Sequence, residues 1–89
     1  MKRLEGKTAL VTGAGRGIGA AIAKKLAADG ALVYINYAAS SEAAKSVAKE
    51  IEDNGGSAKI CQCDISDYES TKQMIENIIS EDGAVDILV

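Results

Sequence analysis

Short apolar runs alternate with longer stretches in which apolar residues recur every three or four positions. Thr8–Val11, TALV, has the length and composition of a buried strand. After a glycine-rich segment, Ile18, Ile22 and Leu26 fall at i, i+4 and i+8, with Lys24, Lys25 and Asp29 on the other side. That spacing predicts an amphipathic helix, closed by Gly30 as a C-terminal cap. Leu32–Asn36, LVYIN, is β-branched and aromatic and predicts a second strand. Ser40 or Ser41 can cap the next helix, with Glu42 in its first turn, where the helix dipole favours an anion. Ala44, Val47, Ala48 and Ile51 mark its apolar stripe, and Gly55-Gly56 ends it. Ala58–Cys63, AKICQC, predicts a third strand. Ser66 and Glu69 form S-x-x-E, a capping box. Thr71, Ile75, Ile78 and Ile79 then give a third helical face, stopped by Gly83. Val85–Val89, VDILV, begins a fourth strand, and the sequence ends within it.

The order is therefore β-α-β-α-β-α-β, which implies a parallel sheet with right-handed crossovers and an α/β fold. With 89 residues the chain has room for one small domain and a modest core. That core is aliphatic, because the sequence holds no Phe or Trp. The formal net charge of -3 and the scattered cations make no basic face, so a nucleic-acid partner is not indicated. No apolar run approaches the roughly 20 residues of a membrane span. The opening MKRLEGK has no signal-like apolar stretch behind it, which makes the cytoplasm the expected location. Cys61 and Cys63 lie at i and i+2 of a strand, with Cα atoms roughly 6.6–6.8 Å apart. That is at the long edge for a disulfide, and with no His in the chain two sulfurs do not make a zinc site. Both read as small buried thiols, and no metal site is expected.

The chemistry is concentrated in TGAGRGIG, Thr12 to Gly19, where four of eight residues are glycine. A strand, a glycine-rich turn and a helix together suit a pyrophosphate. The helix N-terminus offers free N–H groups and partial positive charge, and glycines let the backbone approach the phosphates. Two registers fit. Gly15-Arg16-Gly17-Ile18-Gly19-Ala20 matches G-x-G-x-x-G/A, and Gly13 through Gly19 matches G-x-x-x-G-x-G. Gly6-Lys7-Thr8 is not a phosphate-binding P-loop, since Met1 stands where the leading glycine belongs and the tripeptide precedes its strand.

Thr12-Gly13-x-x-x-Gly17-x-Gly19 resembles the cofactor motif of the short-chain dehydrogenase/reductase family. The longer GKTALVTGAGRGIGAAIAKKLAADGA, with INYAASSEAA, CDISD and VDILV, resembles the 3-oxoacyl-[acyl carrier protein] reductases within it. The likeness runs over nearly the whole chain. It implies a Rossmann-type sheet flanked by helices, of which residues 1–89 would be the N-terminal dinucleotide-binding half, truncated in the fourth strand. It also implies an oxidoreductase that transfers hydride to a 3-oxoacyl thioester in fatty acid biosynthesis.

The cofactor expected is NADP(H) over NAD(H). An acidic residue about 20 positions beyond the glycines, at the end of the second strand, would bond the ribose 2′-OH of NAD. By resemblance that position falls at Tyr37, after Asn36, so no carboxylate stands there to repel a 2′-phosphate. Arg16 matches the arginine that attracts this phosphate in NADP-using relatives, and Ser40 and Ser41 are neutral donors nearby. The resemblance gives Asp64 the adenine amino group and the Ile65 N–H a ring nitrogen. The expected cofactor-binding set is thus Gly13, Gly15, Arg16, Gly17, Ile18, Gly19, Tyr37, Asp64 and Ile65.

No catalytic residue is assigned. The family's acid is the Tyr of a Y-x-x-x-K motif, supported by a Ser and an Asn, in the later part of its fold. Tyr68-Glu69-Ser70-Thr71-Lys72 spells that motif literally but falls in the first turn of a helix, beside the expected cap, and reads as helix surface. The chain alone is therefore expected to hold a nicotinamide dinucleotide without turnover. An acyl-thioester substrate and a homo-oligomeric assembly would come only with further residues. The alternative is a stand-alone or split nucleotide-binding module without catalysis.

Overall fold

The structure is a computed structural model that describes residues 3–13, 17–38 and 41–89. Its elements alternate as β1 (Thr8–Val11), α1 (Gly17–Ala28), β2 (Leu32–Tyr37), α2 (Ser41–Asp53), β3 (Ser57–Gln62), α3 (Tyr68–Asp82) and β4 (Ile87–Leu88). The four strands form one parallel sheet in the order β3-β2-β1-β4. This is a Rossmann-like arrangement, flanked by helices on both faces.

Strand alternation divides the core into two layers. Ala9, Val11, Val33 and Ile35 point to one face, where they meet Ala20, Ala23 and Ala27 of α1 and Ala44, Val47, Ala48 and Ile51 of α2. Leu10 and Tyr34 point to the other face and pack with Cys63 and with Met74 and Ile78 of α3. All four residues of β1 are buried, as a parallel strand covered on both faces requires.

The expected α2 stripe is the observed one. In α1 the expected stripe is not the buried one. Ile18 is 81% exposed and Ile22 and Leu26 are half-buried, while the alanine stripe faces the sheet. Small side chains let α1 approach the strands and α2 closely, and the larger residues lie to the side. In α3, Met74 and Ile78 are buried, whereas Thr71 and Ile75 are half-buried and Ile79 is exposed.

Helix ends follow the glycines. At Gly30 (φ 104°) the amides of Gly30 and Ala31 bond the carbonyls of Ala27 and Leu26, which forms a Schellman motif. Gly55 (φ 85°) and Gly56 repeat it on Glu52 and Ile51. The capping box expected at Ser66 is replaced by Asp67, whose Oδ1 accepts from the amides of Glu69 (3.1 Å) and Ser70 (3.4 Å). A carboxylate gains from the helix dipole where a hydroxyl does not, and the Ser66 hydroxyl already donates to Asp64. Since α2 begins at Ser41, its cap position is Ser40, outside the described residues.

The third strand runs one residue earlier than expected, ending at Gln62, and the fourth is confined to Ile87–Leu88. Bonds beyond the ladder hold that short strand. The Asp86 amide donates to the Thr8 carbonyl (2.8 Å), the Thr8 amide to Asp86 Oδ2 (2.8 Å) and the Val89 amide to Leu10 (3.0 Å).

Candidate functional site

In a parallel sheet every strand delivers its carboxyl end to the same rim, and the chain reverses its strand order beside β1. That rim collects Thr12 and Gly13 after β1, the first turn of α1, Asn36 and Tyr37 of β2, and Cys63, Asp64 and Ile65 after β3. Thr12 closes the β1–β4 side, its amide and hydroxyl both donating to the Val89 carbonyl at 3.0 and 2.9 Å.

Gly13 and Gly17 take φ of +64° and +63°, and a Cβ added at either would meet no atom within 4 Å. Glycine is therefore required here by backbone conformation, and among the described residues nothing crowds either position. Ile18 and Gly19 continue into the first helical turn. Gly15 and Arg16 lie outside the described residues. The first turns of α2 and α3 carry Glu42 and Glu69, but that of α1 carries no acid. Two helices thus offset their N-terminal partial charge internally while the helix behind the glycines leaves its own for an external anion. The donor set fits a dinucleotide.

At the end of β2 there is no carboxylate. Tyr37 is half-buried against the α1–α2 core, and its carbonyl accepts from the Cys63 amide at 2.9 Å. Past β3, Asp64 Oδ1 accepts from both the Ser66 amide (3.0 Å) and the Ser66 hydroxyl (2.7 Å). These bonds, the hydroxyl's first, hold the Asp64 carboxyl below its ordinary range and keep it an acceptor. Among the described residues nothing bonds Oδ2, and Ile65 stands exposed beside it.

Three features of this rim escape a reading of motifs. Asn36, only 4% exposed, donates through Nδ2 to the carbonyls of Cys61 (3.4 Å) and Cys63 (3.2 Å) and lies 3.5 Å from Met74 Sδ. Gln62 Nε2 donates to the Ala38 carbonyl at 3.2 Å, tying the loop after β2 to β3. Ser66 serves Asp64 rather than the helix. The one signal available for Asn36 is its polarity at an inward position of a strand whose other α3-facing residues are Leu32 and Tyr34.

The cysteines remain free thiols, Cys61 half-buried and Cys63 buried. Burial, with Cys63 adding to it, pushes the Cys61 thiol up to about 11. Among the described residues no group of three or more His, Cys, Asp or Glu side chains is placed to hold a metal. Nor is any helix among them long and apolar enough to cross a membrane. Tyr68 is 75% exposed and Lys72 exposed, on the surface of α3 as the sequence suggests. A groove of about 580 Å³ runs between β3 and α3, lined by Tyr34, Cys61, Gln73, Met74 and Glu81. It flanks the sheet and reaches the strand-end rim at Gln62.

Known proteins share this arrangement. The chain is 51% identical over 87 residues to elsinochrome reductase 1 of Elsinoe fawcettii, covering 98% of this chain and 33% of that protein. It is 45% identical over 83 residues to the 3-oxoacyl-[acyl-carrier-protein] reductase FabG of Staphylococcus aureus, covering 93% and 34% respectively. It thus spans about a third of the length of the curated relatives it matches. Among solved structures, a dehydrogenase/reductase from Sinorhizobium meliloti superposes with a TM-score of 0.91 at 48% identity, over 96% of this chain and 34% of that one. A short chain dehydrogenase from Burkholderia cenocepacia in complex with NADP gives 0.88 at 49% identity, over 97% and 35%. The family model for short chain dehydrogenases matches residues 7–89, and the chain belongs to the short-chain dehydrogenase/reductase family.

Proposed function

We propose that residues 1–89 are the NADP(H)-binding part of a single Rossmann-type domain, in a carbonyl reductase that acts on a 3-oxoacyl thioester. The observation that carries this reading is the open, positive-φ glycine turn before an acid-free helix start, on the same sheet rim as Tyr37 and Asp64. The Gly13–Gly19 backbone and the first-turn amides of α1 hold the pyrophosphate. Arg16 faces the 2′-phosphate, with Ser40 and Ser41 as neutral donors, and Tyr37 at the end of β2 offers no charge against it. Asp64 accepts from the adenine amino group while the Ile65 amide donates to the ring. The bound dinucleotide supplies hydride chemistry. This chain's residues bind and orient its adenosine end, and catalysis and oligomer contacts are assigned to other residues of a longer cytoplasmic protein. Likeness to FabG supports the thioester substrate.

Calorimetric titration of the chain with NADPH and NADH tests the cofactor. Tighter binding of NADPH, lost in Arg16→Ala, is expected, and equal affinities in the wild type would refute the 2′-phosphate assignment. No NADPH oxidation with a 3-oxoacyl thioester is expected from the 89-residue chain. Steady turnover by it would overturn the division of labour.

A further inference from the structure

We infer that Asn36 is a positioning residue for the adenine subsite, acting through the Cys63 carbonyl on Asp64. The inference rests on the nucleotide-binding reading above and extends it to a buried side chain on the far side of the rim.

The ladder between β2 and β3 ends at the Tyr37–Gln62 pair. One residue later the chain must leave the sheet and present Asp64. The Cys63 amide is fixed by the Tyr37 carbonyl at 2.9 Å. The Cys63 carbonyl lies past the ladder, and Asn36 Nδ2 reaches it at 3.2 Å. That carbonyl belongs to the same planar peptide unit as the Asp64 amide. Fixing it therefore fixes the Asp64 Cα and the N–Cα axis about which that side chain turns. Ser66 then sets the carboxylate by taking Oδ1, and among the described residues nothing bonds Oδ2.

A purely structural account is weaker. An apolar side chain at this position, on the sheet face it shares with Tyr34 and within reach of Met74, would pack without needing a partner. A buried amide is tolerated only because its donors are satisfied, and the donors of Asn36 are spent on the strand end that carries Asp64.

The test measures affinity of the chain for NADP and for its nicotinamide purine analogue, in which hydrogen replaces the adenine amino group and the ring nitrogens are unchanged. Loss of one hydrogen bond to a carboxylate corresponds to roughly tenfold in affinity. Wild type is expected to prefer the adenine form by about that factor, and Asp64→Ala to abolish the preference. Asn36→Leu and Asn36→Asp, each of similar size and unable to bridge the two carbonyls, should reduce it to within about twofold. In the Asp64→Ala background either substitution should cost no further adenine affinity. A general loss of rigidity would weaken both ligands alike and leave the ratio in place. Retention of the wild-type ratio by a folded Asn36 variant overturns the inference while leaving the nucleotide site standing. Failure of wild type to bind or to discriminate overturns the underlying reading and the inference with it. If both Asn36 variants fail to fold, the residue is structural and the inference falls.

Discussion

Gly17 and Gly83 have the same local problem at opposite ends of the fold, and replacing each by alanine separates folding from binding. Their φ values are +63° and +87°, and an added Cβ would touch nothing within 4 Å at either site. The folding cost is therefore backbone strain alone, about 1–2 kcal/mol for a left-handed L-residue, offset in part by lost freedom in the unfolded chain. For a domain of this size a net loss of about 1 kcal/mol lowers Tm by roughly 4–8 °C. Both variants should show that decrease by thermal denaturation followed by circular dichroism. Binding should separate them. Gly83 ends α3, where its amide bonds the Ile79 carbonyl at 2.8 Å, and the chain then enters β4 from the opposite rim. Gly17 opens α1, where its open face is the proposed approach for the pyrophosphate. Displacing one backbone N–H from a phosphate costs about 1.5–3 kcal/mol, roughly ten- to hundredfold in Kd. NADPH affinity should fall by that factor in Gly17→Ala and stay within about twofold in Gly83→Ala. Equal affinities in the two folded variants would refute the assignment of the glycine turn to phosphate.

Other outcomes follow from the polar ties. The Tyr34 hydroxyl donates to Asp82 and, at 3.3 Å, to Glu81, with Lys59 Nζ 5.5 Å from the ring centre. Burial first, then the bond to Asp82, raises its pKa above the ordinary tyrosine value of about 10. The folded state therefore holds this proton more tightly than the unfolded one, and the stability it contributes is full below about pH 10 and lost as pH rises further. Tyr34→Phe should flatten that alkaline limb in urea titrations, and parallel limbs would contradict the assignment. Asp64 is shifted the other way by Ser66, so its contribution is present above the ordinary aspartate pKa and lost as pH falls. Ser66→Ala, which removes the hydroxyl and keeps the amide bond, should raise the Asp64 carboxyl toward its ordinary range by NMR titration, and an unchanged midpoint would count against the hydroxyl bond. With its thiol pushed up to about 11, Cys61 should react with a maleimide at pH 7.5 far more slowly than a free cysteine, and faster as pH rises. Labelling at the free-thiol rate would show a different environment.

Most of the fold was legible because it rests on periodicity and glycine. The order of elements, the α2 stripe and the helix stops at Gly30, Gly55 and Gly83 all depend on residues acting locally. Where the sequence misled, a tertiary requirement overrode a local preference. Ile18 and Ile22 look like the inward face of α1 because they are large, yet close packing against the sheet selects Ala20, Ala23 and Ala27. The same closeness appears at Gly56, where an added Cβ would sit 2.8 Å from Ile51 Cγ2 and 3.3 Å from Ala27 Cβ. Ser66 looks like a cap because S-x-x-E is a good local pattern, but a competing carboxylate two residues back takes its hydroxyl and the next residue caps instead.

At the rim, motif spacing located the glycine turn, and the family resemblance picked Tyr37 and Asp64, each at or just past a strand end. It carried no information on how their separation is held, since that depends on contacts between strands. Asn36 to Cys61 and Cys63, Gln62 to Ala38, and Thr12 to Val89 each cross from one strand end to its neighbour. Such ties have no period and no fixed spacing, and each uses a residue type that is common on surfaces. The consequence is a division between presence and placement. The residues proposed to touch a nucleotide were picked from local sequence and resemblance, whereas the ties between strand ends are visible only once the strands are side by side. Substitutions of the second kind should therefore alter the relative affinities of ligands that span the rim more than the affinity of any fragment confined to one strand end.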